Sequence, residues 1–344
     1  MKAIYIEDHG GLERIKFGEL DTPELLPGYV LVKTRAAALN HLDLFVISGM
    51  PGINVPMPHT LGSDGSGTVE SVGDKVHHLS RGDRVMLNAV LWCRECEYCI
   101  SGEESMCVDL RLTGEHAPGT YAEYFLVPED SLERIPDGIS FEEAAAFSLV
   151  FQTAWRMLVT QTGIQPGQDV FIHGIGGGVA SAALQIAKLA GCRVFVSSSS
   201  EAKLEKAGEL GADFRYNYEK TNIVEEVLRR TAKRGVDVVV DDVGAATWRQ
   251  SLKLACKGGK VVTCGATTGP CPETDLRLIF WKQLHIIGST MSNRREYQKL
   301  VSLLGQGRLK PVIDRVFPLS RAKDALGYLK SGDQFGKVVL TADR

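Results

Sequence analysis

The chain has 344 residues, 44% hydrophobic and 24% charged, which suits a soluble globular protein of two domains with a large core. Its net charge of −3 offers no basic field for nucleic acid or an anionic membrane. No apolar run approaches the roughly 20 residues of a membrane-spanning helix.

The opening Met1-Lys2-Ala3-Ile4-Tyr5-Ile6, followed by Glu7 and Asp8, reads as a strand and not as a secretory leader. Residues 1 to about 150 are rich in short strands and glycine turns. Gly28–Thr34, Gly65–Gly73 and Asp83–Leu87 are the clearest of them. Such a run predicts a barrel-like domain.

Inside it, Cys93, Cys96, Cys99 and Cys107 form a C-x2-C-x2-C-x7-C run in a polar lobe, about 91–109. Four thiolates at this spacing predict one closed, structural Zn2+ per chain with no position left open for a substrate. An iron–sulfur cluster fits worse, because the common local spacing ends C-x3-C-P. The other four cysteines, Cys192, Cys256, Cys264 and Cys271, are scattered. Thiols used this way suit a reducing, cytoplasmic setting.

The pattern changes near residue 150 to strands alternating with helices. Val170–Ile172, Arg193–Val196, Val236–Val240 and Lys260–Thr263 are buried-type strands. Val179, Ala183, Ile186, Ala187 and Ala190 recur at helical spacing, and Glu201–Leu210 is a second helical stretch. This predicts a parallel sheet covered on both faces. The tail from 288, ending in the strand Gly336–Leu340, is assigned to the first domain.

The turn Gly174-Ile175-Gly176-Gly177-Gly178-Val179 stands between a strand and a helix. There glycines let the backbone approach a pyrophosphate, and a helix N-terminus offers free N–H groups. The predicted dinucleotide-binding residues are Gly174, Gly176, Gly177, Gly178 and Val179, with Ser198, Ser199, Lys203 and Tyr218 beyond them. The second strand runs into Ser197–Ser200, so no carboxylate stands near Ser198, where NAD sites hold the ribose hydroxyl. Hydroxyls and Lys203 suit a 2′-phosphate, which favours NADP(H). Glu201 is the complication, unless it only stabilises the first turn of its helix.

Taken together, Ala38–Asp43, Leu61–Gly67, Gly82–Val85, the cysteine lobe, Gly119–Tyr124, the glycine turn and Gly336-Lys337 resemble the medium-chain dehydrogenase/reductase superfamily of zinc alcohol dehydrogenases and quinone oxidoreductases. The resemblance spans the whole chain. It implies an α/β protein with a GroES-like β-barrel domain (1–150 and 288–344) and a Rossmann domain (151–287), built into a homodimer or homotetramer.

In zinc-dependent members a catalytic metal takes three ligands. At the matching positions this chain has Asn40, Ser63 and Leu149. Asn and Ser are poor Zn2+ ligands and Leu is none, so the catalytic zinc is expected to be absent. An unusual site drawn from His41, Asp43, His59 and Asp64 is the rival reading, with His59 otherwise a loop residue. Without a metal the easier hydride acceptors are conjugated: quinones, enones and enoyl thioesters.

The candidate catalytic residues are Asn40, His41, Asp43, Asp64 and Thr153. Asn40 is a candidate hydrogen-bond donor to an enolate. His41 is a candidate acid, with Asp43 orienting it or the nicotinamide ribose, and His116 is a weaker one. Phe45, Met50, Leu149, Phe151 and Trp281 are candidates for an apolar pocket. The expected activity is NADPH-dependent reduction of a quinone, enone, enoyl thioester or bulky ketone. Two alternatives are an alcohol dehydrogenase with an unusual metal or none, and a nucleotide-binding module without catalysis.

Overall fold

The computed structural model describes residues 1–50 and 55–342. The chain divides into two compact units, Met1–Leu149 with Ser292–Arg344, and Val150–Met291.

The first unit is built on a largely antiparallel sheet around the long strand Tyr29–Ala38, which pairs antiparallel with Asp64–Val72, Tyr124–Pro128 and Lys337–Thr341. Alternation along these strands sends Val30, Val32, Val69, Val85, Phe125 and Val127 into one core. Gly67 permits the close pairing. A Cβ there would stand 2.2 Å from the Lys33 carbonyl oxygen. Register then sets the site: Ala38 lies opposite Asp64 on one side and opposite Val339 on the other. Asn40, Asp64 and Lys337 are thereby gathered at one end of three strands. The C-terminal segment Ser292–Arg344 clusters with this unit.

The second unit is a six-stranded parallel sheet, in the order Phe214–Asn217, Arg193–Ser198, Asp169–Ile172, Val236–Val240, Ala255–Thr263, His285–Gly288. This is the doubly wound order 3-2-1-4-5-6. Its central strands are buried on both faces, which is why Val170–Ile172 and Val238–Val240 read as unbroken apolar runs. The helix Gly178–Leu189 follows the glycine turn and stops at Gly191, whose φ of +78° favours glycine. Among the described residues, no helix is long and apolar enough to cross a membrane.

Candidate active site

Asn40 ends the long strand and caps the helix His41–Ser48. Its main-chain carbonyl accepts from the Asp43 N–H at 3.0 Å, and the Asp43 carboxylate accepts from the Asn40 N–H at 2.8 Å. The Asn40 side chain is committed elsewhere. Nδ2 donates to Asp64 Oδ2 at 2.9 Å, and Oδ1 accepts from Lys337 Nζ at 2.6 Å. Lys337 also donates to Asp64 Oδ2 at 2.9 Å, which closes a three-membered ring. Asp64 Oδ1 accepts from the Leu149 backbone N–H at 2.8 Å. All three side chains are buried.

Asp43 accepts from Tyr121 Oη at 2.6 Å, not from His41, so its observed partners differ from the orienting role read from sequence. Its second oxygen is buried without a partner. Burial pushes the carboxyl up to about 6, against the pull of Asn40, Tyr121 and Lys337. His41 is exposed, yet the packing around it and then Lys337 lower its pKa.

Three other residues stand differently from their sequence readings. His59 is not a loop residue: it lies buried in the strand His59–Thr60, with Nε2 3.1 Å from the Gly114 carbonyl. Phe151 is a core side chain, the alternative that its sequence reading left open, whereas Trp281 is 74% exposed on the helix Leu276–Lys282. Thr153 is buried, with Oγ1 3.9 Å from Met291 Sδ. Sequence reasoning missed Lys337 and Tyr121 as members of the network. The available signal was a lysine at the head of an apolar strand, where a buried ammonium demands an anionic partner.

The four lobe cysteines bring their Sγ atoms within 4.8 Å of one another, with Cys93–Cys99 at 3.8 Å and Cys96–Cys99 at 3.5 Å. Zn–S bonds of about 2.3 Å in a tetrahedron put sulfurs roughly 3.8 Å apart, so the residues fit structural zinc. Backbone N–H groups of Cys93 and Asp109 point at Cys107 Sγ, at 3.3 and 3.4 Å, as thiolates require. Among the described residues no other group of three or more such side chains meets. His41, Asp43, His59 and Asp64 therefore form no metal cluster. The positions matching the family's catalytic ligands do not fit a metal either, since an amide (Asn40), a hydroxyl (Ser63) and an aliphatic side chain (Leu149) stand there.

The nucleotide turn has the geometry its glycines predict. Gly174 and Gly176 have φ of +60° and +126°, and Gly177 caps the helix. A Cβ at Gly176 would stand 3.2 Å from Lys203 Nζ, so that ammonium lies over the turn. Ser198 ends its strand, and Ser200 caps the next helix. Glu201 is held by Asn217 Nδ2 and Lys220 Nζ, both at 2.8 Å, which supports its helix-start role. Tyr218 is half exposed, and its backbone N–H reaches the Ser198 carbonyl. Beneath the turn, Ser251 donates to Asp241 at 2.5 Å, so His173 Nε2, 2.9 Å away, must donate to Ser251.

Residues 26–137 match the alcohol dehydrogenase GroES-like domain, and 178–306 match the zinc-binding dehydrogenase domain. An alcohol dehydrogenase of Geobacillus stearothermophilus is 33% identical, with all of both chains covered. The chain belongs to the medium-chain dehydrogenase/reductase superfamily. Mouse (Mus musculus) quinone oxidoreductase is 30% identical, over 99% of this chain and 97% of that one. A solved NAD-dependent alcohol dehydrogenase is 42% identical with a TM-score of 0.96, with all of both chains covered. The superfamily makes this an oxidoreductase with a nicotinamide cofactor. The GroES-like and Rossmann folds expected from the sequence are both present.

Proposed function

We propose that the protein is an NADPH-dependent reductase that delivers hydride to a quinone, an enone, an enoyl thioester or a bulky ketone without a catalytic zinc. One observation carries this reading. Asn40, at one of the positions where zinc-dependent relatives ligate a metal, is tied into a ring with Asp64 and Lys337 that satisfies its own charges and hydrogen bonds. A simple ketone then lacks a Lewis acid to polarise it. A conjugated acceptor needs less, because hydride arriving at carbon sends its electrons to a distant oxygen that hydrogen bonds can hold.

In this reading the ring fixes the entry to the helix His41–Ser48 and so positions His41, which supplies the proton that completes the reduction. Asn40 acts by positioning and not as a free donor, since both its polar atoms are engaged. The missing acid at Ser198, the ammonium of Lys203 over the turn, and the capture of Glu201 by Lys220 support NADP(H). Relatives named as quinone oxidoreductases, and a 27% identical structure of a 2-octenoyl-CoA carboxylase reductase with NADP, are consistent with it.

The 42% identical NAD-dependent alcohol dehydrogenase favours a second reading, alcohol oxidation with NAD. One experiment separates them. Zinc is measured per chain while NADPH oxidation is followed with a quinone, a cyclic enone, an enoyl-CoA and a ketone. One zinc with chelator-resistant enone or quinone turnover supports the proposal. Two zincs with reversible alcohol turnover would sink it, and NADPH binding with no turnover would point to a module without catalysis.

A further inference from the structure

The first unit holds a cavity of about 400 Å3 beside the cysteine lobe. That is within the roughly 300–1,000 Å3 usual for small-molecule sites. Its lining follows from strand alternation. Along Tyr124–Pro128, Phe125 and Val127 turn into the core, which leaves Tyr124 and Leu126 half buried on the opposite face. Tyr29, on the neighbouring strand, and Trp92, from the lobe, are also half buried and line the same space. Three aromatic side chains around one cavity favour a flat aromatic ligand.

The polar lining is unequal in charge. Arg94 and Arg111 stand against a single carboxylate, Asp109. Arg94 has a surface partner in Asp130, at 3.4 Å. Arg111 donates to the His116 carbonyl at 3.1 Å and has no carboxylate partner among the described residues. A guanidinium left in this state favours a planar carboxylate. The Thr113 hydroxyl is buried without a hydrogen-bond partner and lines the same cavity. Such a group is costly unless something completes it.

We infer that this cavity is a second ligand site, which takes a flat aromatic monocarboxylate with its ring among Tyr29, Trp92 and Tyr124 and its carboxylate toward Arg111. It is built wholly from the first unit and shares no residue with the glycine turn. Cys93 also lines it, so an occupant would brace one of the lobe's four thiolates.

The test is calorimetric titration of the zinc-loaded protein with 2-naphthoate, and with 2-naphthylmethanol as the neutral analogue. The expected result is one saturable naphthoate site per chain, unchanged by saturating NADPH, with the alcohol bound more weakly. Arg111→Met should weaken naphthoate binding by about tenfold or more. Ala117→Trp, which fills the space from a second direction, should abolish it while the circular dichroism spectrum stays unchanged. Absence of saturable binding, displacement by NADPH, or equal binding in both variants would overturn the inference. So would dissociation of an oligomer by Ala117→Trp, since the cavity would then be covered by a second copy of the chain.

Discussion

Lys337 Nζ lies 2.9 Å from Asp64 Oδ2, and the two side chains are only 3% and 0% exposed. A buried ion pair of this kind adds little net stability over an apolar pair, but breaking it leaves an uncompensated charge. Lys337→Met should therefore destabilise the protein by roughly 3–5 kcal/mol. The double variant Lys337→Met with Asp64→Asn should recover part of that loss. Urea denaturation of the three proteins checks it, and additive losses would show that the pair does not couple.

Chelation should separate structure from cofactor binding. The wild type should hold one zinc, and Cys96→Ser or Cys107→Ser should lose it along with a large part of the thermal stability. NADPH affinity should change little, because the glycine turn belongs to the other unit. Metal analysis with fluorescence titration of NADPH decides this.

Cofactor choice should turn on two residues. Lys203→Ala should weaken NADPH by about tenfold and leave NADH nearly unchanged, the loss expected of one charge-assisted contact. Ser198→Asp should shift preference toward NADH by supplying the missing ribose acceptor. The ratio of kcat/KM for the two cofactors is the measurement.

Asp43 should make the protein less stable as pH rises from about 4 to about 6. Its folded pKa is raised to about 6 from 3.8, so in that window the folded state holds a proton that the unfolded state has released. Stability then falls with increasing pH and levels off above the folded value. Glu115, which burial also pushes up to about 6, adds a contribution of the same sign. Asp43→Asn should flatten the dependence of Tm on pH between 4 and 6 without removing it.

The strand His285–Gly288 is the edge of the parallel sheet. Ile286 on it and Phe280 and Trp281 on the preceding helix are exposed. An open apolar edge of this kind invites pairing with another copy. Trp281→Lys with Ile286→Lys should shift an oligomer toward monomer in sedimentation velocity. No shift would place any self-association elsewhere.

Local chemistry was legible in the sequence. Cys93, Cys96, Cys99 and Cys107 lie within one short segment, so their spacing alone predicts a closed thiolate site. Gly174–Gly178 announces its turn because glycine is the residue that most readily takes the positive φ found at Gly174 and Gly176, +126° at the latter. The strands of the second unit follow from short, nearly continuous apolar runs and its helices from an apolar period of about 3.6 residues. The vacancies at Asn40, Ser63 and Leu149 were also readable, though only as an absence.

The ring of Asn40, Asp64 and Lys337 was not readable. Lys337 and Asp64 are 273 residues apart, and nothing in the neighbourhood of either names the other. They meet because Tyr29–Ala38 pairs with Asp64–Val72 on one edge and with Lys337–Thr341 on the other. Strand register decides that contact, and burial then makes the ion pair obligatory. The Tyr121–Asp43 hydrogen bond likewise joins residues far apart along the chain. The sequence by itself determined the scaffold, the thiolate lobe and the nucleotide turn, because each depends on residues close along the chain. Which charges face one another in the water-excluded interior was decided only by the tertiary structure, since pairing there depends on distance in space.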